Sequence, residues 1–451
     1  MVAEVRFEEA QRVSIATLAR RHRLMDGEVT LLGGHASVTG VMTRVALGGQ
    51  RLLVDCGKPQ GPDAFEWQLD PSAVDVDAVV LTHAHLDPIG ALPELLEQGF
   101  SGPIYGTAPT LALAKLVLGD ALEQDDATPG RGGRWLSAFE RQARPLGYGQ
   151  PAQLGGVELM LHDAGHILGS ASVELTSAQS RVIISGDLGR PGGPLLHDYH
   201  TSWRRRRPVD LVLMESTYGD DEHAHGHAEM ELELERIVQQ ALARGGSLLV
   251  PAFSIGHAQA LLFHLNELVK KGYVQRLPIA VDSPSGLRVL SSHDEFARLI
   301  DRQVLDGMAR GTAPLDFEGL YSAQEQELPR VSLIPGPMLI LAGRGMCTGG
   351  RIVSHLRRLL PIEQTTVLFV SYQAEGTPGR AIQRAAARGG RVWMDHEEVR
   401  VRAHVETLNG LSSHADRREL ARWLGAIPDV QKVALHRGAP CAQRSFAAWY
   451  A

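Results

Sequence analysis

Three side chains of types that bind metal ions lie close together in the stretch Leu81-Thr82-His83-Ala84-His85-Leu86-Asp87-Pro88-Ile89-Gly90. A helix, with a side-chain period of about 3.6, cannot direct His83, His85 and Asp87 to one side. We therefore predict a tight loop that follows the apolar run at 78–81 and leads into a helix near Ile89. Imidazole and carboxylate ligands together suit borderline ions such as zinc. A polar loop with incidental histidines is the alternative interpretation.

Other candidate residues follow apolar runs later in the chain. His166 lies in the glycine-bounded turn 162–170, and Asp187 lies just past the predicted strand 182–185. A single histidine or aspartate in such a position is usually structural. Both residues, however, lie at strand ends of one alternating α/β pattern, where functional sites collect. Asp55 also ends a predicted strand. We interpret it either as a support for the predicted loop that contains His83, His85 and Asp87, which we call the metal loop, or as a residue that caps a turn.

Two glycine-rich turns in the second half each connect a predicted strand to a predicted helix. They are Gly343-Arg344-Gly345-Met346-Cys347-Thr348-Gly349-Gly350-Arg351 and Gly376-Thr377-Pro378-Gly379-Arg380. Backbone N–H groups and the helix dipole at such turns favour phosphate. Six residues are therefore predicted to bind substrate: Arg344, Gly349, Gly350, Arg351, Gly379 and Arg380. Each turn taken alone is also compatible with ordinary turn chemistry.

The composition describes an ordinary globular protein of 451 residues, of which 44% are hydrophobic and 22% charged. Its length predicts two or three domains. A net charge of −7 indicates no global basic field for nucleic acid, although a local basic patch could suffice. No apolar run approaches the roughly 18 residues of a membrane span, and the acidic N-terminus does not match a secretory signal. Three widely spaced cysteines indicate reduced thiols, and we predict a cytoplasmic protein with no membrane partner.

A set of motifs extends over most of the chain, from about Val29 to His436. They are HAHLD at 83–87, DAGHILGSA at 163–171, SGDLGR at 185–190, ESTYGD at 215–220, GMCTGGR at 345–351 and SSHAD at 412–416, followed by His436. Together they resemble the metallo-β-lactamase superfamily, and specifically its β-CASP branch of nucleic-acid hydrolases. That branch includes the eukaryotic pre-mRNA 3′-end endonuclease subunit and ribonuclease J.

The resemblance implies an α/β fold, namely a metallo-β-lactamase αββα sandwich with an inserted β-CASP α/β domain. A second α/β unit in the pattern of apolar runs, at about 220–400, fits that insertion. The predicted divisions are a polar, helix-compatible extension at 1–27, the first part of the metallo-β-lactamase domain at 28–219, the inserted domain at 220–400 and a return segment at 401–451. Within the first part, residues 125–134 are predicted to form a loop.

The resemblance also implies roles for individual residues. His83, His85 and His166 would hold a first metal ion, and Asp187 would bridge it to a second ion held by Asp87 and His436. His414 matches the general acid of the family, and Glu215 matches the carboxylate that orients this acid. The implied catalytic residues are Asp87, Glu215 and His414, and the implied cofactor is zinc, with one or two ions per chain. The implied reaction is hydrolysis of phosphodiester bonds, with RNA as the substrate.

Three departures from the family pattern concern the second metal and the end of the chain. Pro88 stands where the family has a histidine, so the second metal loses one donor and should bind more weakly. The family's histidine-glycine-glutamate turn is here His436-Arg437-Gly438-Ala439. The chain also stops at Ala451, before the helix and strand that usually follow.

Three functions therefore compete. The first is a metal-dependent phosphodiesterase that acts on RNA. The second is a degenerate relative that binds metal or RNA as a scaffold, and Pro88 is its main support. The third is a small-molecule hydrolase of the wider superfamily that acts on a thioester, ester or lactam; the inserted domain with its arginine-bearing turns argues against it. RNA is the predicted partner, and a homodimer is compatible with the sequence.

Overall fold

Two large mixed β-sheets lie face to face in the computed structural model. The structure describes residues 14–59, 67–123, 131–223, 226–252, 255–283, 296, 320–322, 337–371, 373 and 375–451. Up to residue 223 the described strands are β1 (Ser14–Ala16), β2 (Arg21–Leu24), β3 (Gly27–Gly33), β4 (Met42–Leu47), β5 (Gln50–Val54), β6 (Ala78–Val80), β7 (Ile104–Gly106), β8 (Ala143–Pro145), β9 (Ala152–Leu154), β10 (Val157–Asp163), β11 (Ala171–Thr176), β12 (Arg181–Ile184) and β13 (Leu211–Glu215). Beyond it they are β14 (Leu248–Pro251), β15 (Ile279–Asp282), β16 (Leu320–Ser322), β17 (Leu339–Ala342), β18 (Thr366–Phe369), β19 (Arg391–Met394), β20 (Glu397–Arg400), β21 (His404–Thr407) and β22 (Lys432–His436).

The α-helices of the described segments connect or cover these strands. They are α1 (Leu86–Ile89), α2 (Leu92–Glu97), α3 (Ala108–Glu123), α4 (Arg131–Gln142), α5 (His227–Arg244), α6 (His257–Lys270), α7 (Arg351–Leu359), α8 (Pro378–Ala386), α9 (Arg417–Gly425) and α10 (Pro440–Tyr450). Among them, none is long and apolar enough to cross a membrane.

The two facing sheets share one core. Within the described chain the first sheet has the order β2-β3-β4-β5-β6-β7-β8, and the second has the order β1-β22-β13-β12-β11-β10-β9. Alternation along each strand decides which side chains enter the shared core, because successive residues of a strand point to opposite faces. On β5, Leu52 and Val54 face the other sheet, whereas Leu53 packs beneath the outer helices.

Helices cover the outer face of each sheet. Trp135 and Phe139 of α4 belong to the apolar cluster on the outer face of the first sheet. Trp423 of α9 and Phe446 of α10 belong to the corresponding cluster on the second sheet. The layers are therefore helix, sheet, sheet and helix, which confirms the predicted αββα sandwich.

A third sheet forms the inserted unit. Its described strands are all parallel, in the order β16-β15-β17-β14-β18-β21. Helices α5 and α6 pack on one face and α7 and α8 on the other, so its strands are buried on both sides. That double burial explains continuous apolar runs such as Leu248–Pro251. The predicted insertion of an α/β domain is confirmed, although β21 extends its sheet to residue 407, past the predicted limit of 400.

Three local predictions differ from the structure. Residues 14–16 and 21–24 are strands of the two large sheets, whereas the sequence pattern of residues 1–27 was interpreted as compatible with a helix. Those edge strands are held by pairing with β22 and β3, which a weak apolar pattern does not reveal. The predicted loop at 125–134 is helical from residue 131. A helix, α10, also follows His436, contrary to the expectation that it would be missing. Residues 1–13 and 124–130 lie outside the described residues.

Candidate active site

The candidate residues collect at the ends of strands. His83 and His85 follow β6, Asp187 follows β12, Glu215 ends β13 and His436 ends β22. Strands β12, β13 and β22 are parallel neighbours, so their carboxyl ends lie at one edge of the second sheet. The carboxyl edge of such strands is where binding sites form in open α/β sheets.

Four potential metal ligands converge at this edge. They are His83, His85, His166 and Asp187, whose ligand atoms all lie within 4.8 Å of one another. The three imidazole rings stand edge-on to each other with centroids 5.0 to 5.2 Å apart. Asp187 Oδ2 lies 3.3 Å from His83 Nε2 and 3.4 Å from His166 Nε2. The structure therefore brings together the four residues that the resemblance assigns to the first metal.

The outer nitrogen of His83 is held by a chain of two hydrogen bonds. Thr82 donates its backbone N–H and its hydroxyl to the two carboxylate oxygens of Asp55, each at 2.8 Å. Because that hydroxyl proton is used, Thr82 Oγ1 accepts from His83 Nδ1, 2.9 Å away. This leaves the lone pair of His83 on Nε2, toward the cluster. Asp55 thus supports the metal loop, the first of the two roles considered for it.

Backbone carbonyls orient the other two rings in the same way. His85 Nε2 donates to the carbonyl of Ile255 at 3.3 Å, and His166 Nδ1 donates to the carbonyl of Ser413 at 3.0 Å. The nitrogens left facing each other, His85 Nδ1 and His166 Nε2, are 3.2 Å apart. Such second contacts fix the tautomer of metal-binding histidines.

The protonation state of the cluster suits a metal ion. Burial lowers the pKa of His83 to about 3 and that of His85 to about 4, and burial also lowers the pKa of His166. The rings are therefore neutral at pH 7, as metal ligands must be. Within the described residues, the buried His83 Nε2 and Asp187 Oδ2 have no hydrogen-bond partner. A cation at this point would satisfy these atoms, so the residues fit a metal ion.

His414 lies beside this cluster with its ring held by Glu215. Its Nδ1 is 3.2 Å from Glu215 Oε1, and its Nε2 is 3.8 Å from Asp187 Oδ2. Glu215 is fully buried and accepts the backbone N–H of Leu188 at 2.7 Å, which fixes its carboxylate. Burial works to lower the pKa of His414, but the Glu215 charge and hydrogen bond outweigh it, and the pKa is raised. His414 is thus disposed to carry a proton toward the cluster.

The residues that the resemblance assigns to a second metal do not converge. Among the described residues, Asp87 and His436 belong to no group of three or more ligand atoms within 4.8 Å of one another. Instead, the guanidinium of Arg437 makes ion pairs with both Asp87 Oδ2 and Asp187 Oδ1. The structure shows no fit for a second metal ion while Arg437 holds this position.

The two glycine-rich turns lie against each other. Gly379 donates its N–H to the carbonyl of Met346 at 3.2 Å. Arg351 pairs with the buried Asp282 at 2.6 Å, and Arg380 pairs with Glu375 at 3.1 Å. The side chain of the exposed Arg344 lies against its own turn. Its Nη1 is so close to Gly349 that a Cβ added at this glycine would lie only 3.0 Å from it. The substrate-binding role of the six turn residues stays a prediction.

Some residues near the site were not assigned by sequence reasoning. Thr82 directly precedes the HAHLD motif but carries no recognisable ligand signal. The carbonyls of Ile255 and Ser413 have no side-chain signature at all. His257, at the start of α6, is buried near His85, and burial lowers its pKa to about 3. Arg437 did have a signal, because it replaces a glycine of the family turn next to His436.

Sequence models of three protein families match consecutive parts of the chain. The metallo-β-lactamase superfamily matches residues 37–242, the Beta-Casp domain matches 258–382, and the Zn-dependent metallo-hydrolase RNA specificity domain matches 398–450. A solved structure titled as a protein of unknown function from Enterococcus faecalis V583 covers 92% of this chain with a TM-score of 0.53 and 13% identity. That likeness, which covers 95% of the other chain, shows the fold alone.

Curated relatives cover nearly the whole chain. Ribonuclease TTHA0252 of Thermus thermophilus is 38% identical over 408 residues, which are 89% of this chain and 91% of that protein. The transcription termination factor FttA of Cenarchaeum symbiosum is 32% identical over 91% of this chain, and that of Methanothermobacter thermautotrophicus is 29% identical over 91%. The chain spans only 66% of the length of these two termination factors. By these matches and its sandwich with an inserted domain, the chain belongs to the β-CASP family of metallo-β-lactamase-fold hydrolases.

Proposed function

We propose that this chain is a zinc-dependent ribonuclease that hydrolyses phosphodiester bonds with His414 as its general acid. One observation carries the proposal. A histidine held by a buried carboxylate presents its free ring nitrogen, His414 Nε2, 3.8 Å from Asp187 Oδ2, at the edge of the histidine cluster. A proton donor beside a metal-binding cluster is what cleavage of an ester with a poor leaving group requires.

The side chains of the site divide the work of hydrolysis. His83, His85, His166 and Asp187 would hold the zinc ion, which when bound would supply Lewis-acid chemistry: polarisation of the phosphate group and a lowered pKa of water. His414 holds a proton at Nε2 and gives it to the sugar oxygen that leaves. Glu215 keeps the opposite proton of the ring at Nδ1, so the ring cannot turn away. Burial of the cluster excludes bulk water, which strengthens these electrostatic effects.

RNA is the proposed substrate. The match of residues 398–450 to an RNA specificity domain and the name of the Thermus relative both support it. The inserted domain contacts the metal loop directly, through the hydrogen bond from His85 to the Ile255 carbonyl. A substrate that reaches the cluster therefore lies between the sandwich and the insert. The three cysteines, all within the described residues, are free thiols, and we place the activity in the cytoplasm.

The test compares labelled substrates with metal-stripped and zinc-restored protein. Single-stranded RNA, DNA of the same sequence and a chromogenic lactam are each incubated with wild type after chelation and after addition of zinc. We expect RNA cleavage that is lost on chelation and restored by zinc. No cleavage of RNA under either condition would contradict the proposal, and lactam turnover without RNA cleavage would favour a small-molecule hydrolase.

A binding scaffold without hydrolysis is the second candidate. The observation that favours it is Arg437, which occupies the carboxylates expected to hold a second metal. The same samples decide between the two functions, because a scaffold shifts RNA in a gel with zinc present and leaves it uncut.

A further inference from the structure

Arg437 binds both carboxylates that the family pattern assigns to a second metal. Its guanidinium makes ion pairs with Asp87 Oδ2 and with Asp187 Oδ1, and its side chain is 6% exposed. The other oxygen of Asp187, Oδ2, faces His83 and His166. Asp187 therefore lies between the histidine cluster and a positive charge, the arrangement expected of a carboxylate that bridges two cations.

A guanidinium suits this position chemically. Its planar fork presents several N–H groups and can serve two carboxylates at once, and it keeps its charge at any physiological pH. Two buried carboxylates without a cation would repel each other, and an uncompensated buried charge is strongly destabilising. Arg437 neutralises one of these two charges, and a metal at the histidine cluster neutralises the other.

The backbone directs Arg437 into the site. Its φ of 47° lies in the left-handed region, which is uncommon for a residue with a Cβ. Contacts on both sides hold it there: its N–H donates to the carbonyl of Gly34 at 2.7 Å, and its carbonyl accepts from Thr217 Oγ1 at 3.2 Å. A strained conformation that is held so firmly is typical of a functional position.

Pro88 complements Arg437. Proline is tolerated in the first turn of α1, where its missing N–H has no intrahelical partner to lose. It has no atom that could bind a metal. The chain thus lacks one donor for the second ion and has gained a cation at the same place.

We infer that Arg437 takes the place of the second metal ion, so that this chain binds one zinc ion and supplies the second cation from its own sequence. The inference rests on the proposed function only for the first zinc, at the histidine cluster. It also implies that chelation removes one of the two cations and leaves the other in place.

The test counts zinc ions bound to wild type, Pro88→His and the double variant Pro88→His/Arg437→Gly. Glycine adopts a positive φ without strain, so Arg437→Gly removes the guanidinium and keeps the turn. Each protein is stripped by chelation, titrated with zinc alone, dialysed and analysed for metal, with circular dichroism to verify folding. We expect one zinc per chain in wild type and in Pro88→His, and two in the double variant.

Contrary outcomes separate this inference from the proposed function. Two zinc ions in wild type or in Pro88→His would overturn the inference and leave the proposed function standing. One zinc in a folded double variant would also overturn it. No zinc in wild type would overturn the proposed function and the inference with it. Should the double variant not fold, the single variant Arg437→Gly replaces it, and its melting temperature is measured as zinc is added. A further rise of the melting temperature at the second equivalent of zinc supports the inference. A rise at the first equivalent alone overturns it.

Discussion

His414 and Glu215 are 199 positions apart in the chain, yet His414 Nδ1 lies 3.2 Å from Glu215 Oε1. Glu215 ends the buried strand β13, and His414 lies in the segment before α9. The pairing turns the other ring nitrogen of His414 toward Asp187. His414 is therefore placed to hold a proton without being one of the metal ligands. Its contribution to catalysis can be tested without removing a metal ligand.

Replacement of His414 by alanine should slow RNA cleavage without loss of metal. A general acid typically contributes 10²–10⁴-fold to a rate, and His414 is not needed to hold the ion. We therefore expect kcat to fall by about that factor while the protein stays folded and its zinc content stays near wild type. The matched control is His404→Ala, at an exposed histidine on β21. Equal cleavage by His414→Ala and wild type would refute the acid role.

Replacement of Glu215 by glutamine should move the pH profile of cleavage. Glu215 raises the pKa of His414 against the opposing effect of burial, so the protonated acid persists to higher pH in wild type. Without the carboxylate charge the pKa falls, and the acid loses its proton at lower pH. We expect the alkaline limb of kcat/KM to shift to lower pH in Glu215→Gln. Glu363→Gln, at a carboxylate whose side chain is 70% exposed, is the control. An unmoved limb would mean that Glu215 does not govern this proton.

Replacement of Thr82 by valine should weaken zinc binding although no ligand is removed. The hydroxyl links His83 to Asp55 and fixes the imidazole tautomer. Loss of such an outer contact typically costs 10–100-fold in metal affinity. Competition with a chromophoric chelator measures the zinc affinity directly. Thr43→Val is the matched control, because Thr43 is buried and its hydroxyl has no hydrogen-bond partner among the described residues. Equal affinities in the two variants would contradict the role of Thr82.

The arginines of the glycine-rich turns should behave differently from one another. Arg344→Gln should weaken RNA binding and lower the slope of log affinity against log salt by about 0.7, the value for one phosphate contact in a single strand. Arg351→Gln should instead destabilise the fold by about 1–3 kcal/mol, because it leaves the buried Asp282 with one partner fewer. Salt titrations of RNA binding and urea unfolding of both variants measure the two effects. An unchanged salt slope in Arg344→Gln would mean that the turn is structural.

Local sequence by itself determined much of this protein. Buried strands such as Val157–Asp163 and Leu248–Pro251 were predictable because burial forces apolar runs of strand length. The loop with His83 and His85 was predictable because ligand-type side chains follow directly on an apolar run, although α1 begins at Leu86, before the predicted start near Ile89, and includes Asp87. The domain order followed from motifs that extend along the whole chain. Each of these features depends on residues that are close together in the sequence, so the sequence pattern alone can reveal it.

Only the tertiary structure decided what surrounds those residues. The partners of His83, His85 and His166 come from distant segments, and two of them are backbone carbonyls with no signature in sequence. Arg351, predicted to bind substrate, is turned toward Asp282 by the packing of the inserted sheet. Arg437 was visible only as a departure from a motif. Its φ of 47° and the strand ends around it direct its guanidinium to two carboxylates, and side-chain direction at a strand end depends on such long-range contacts.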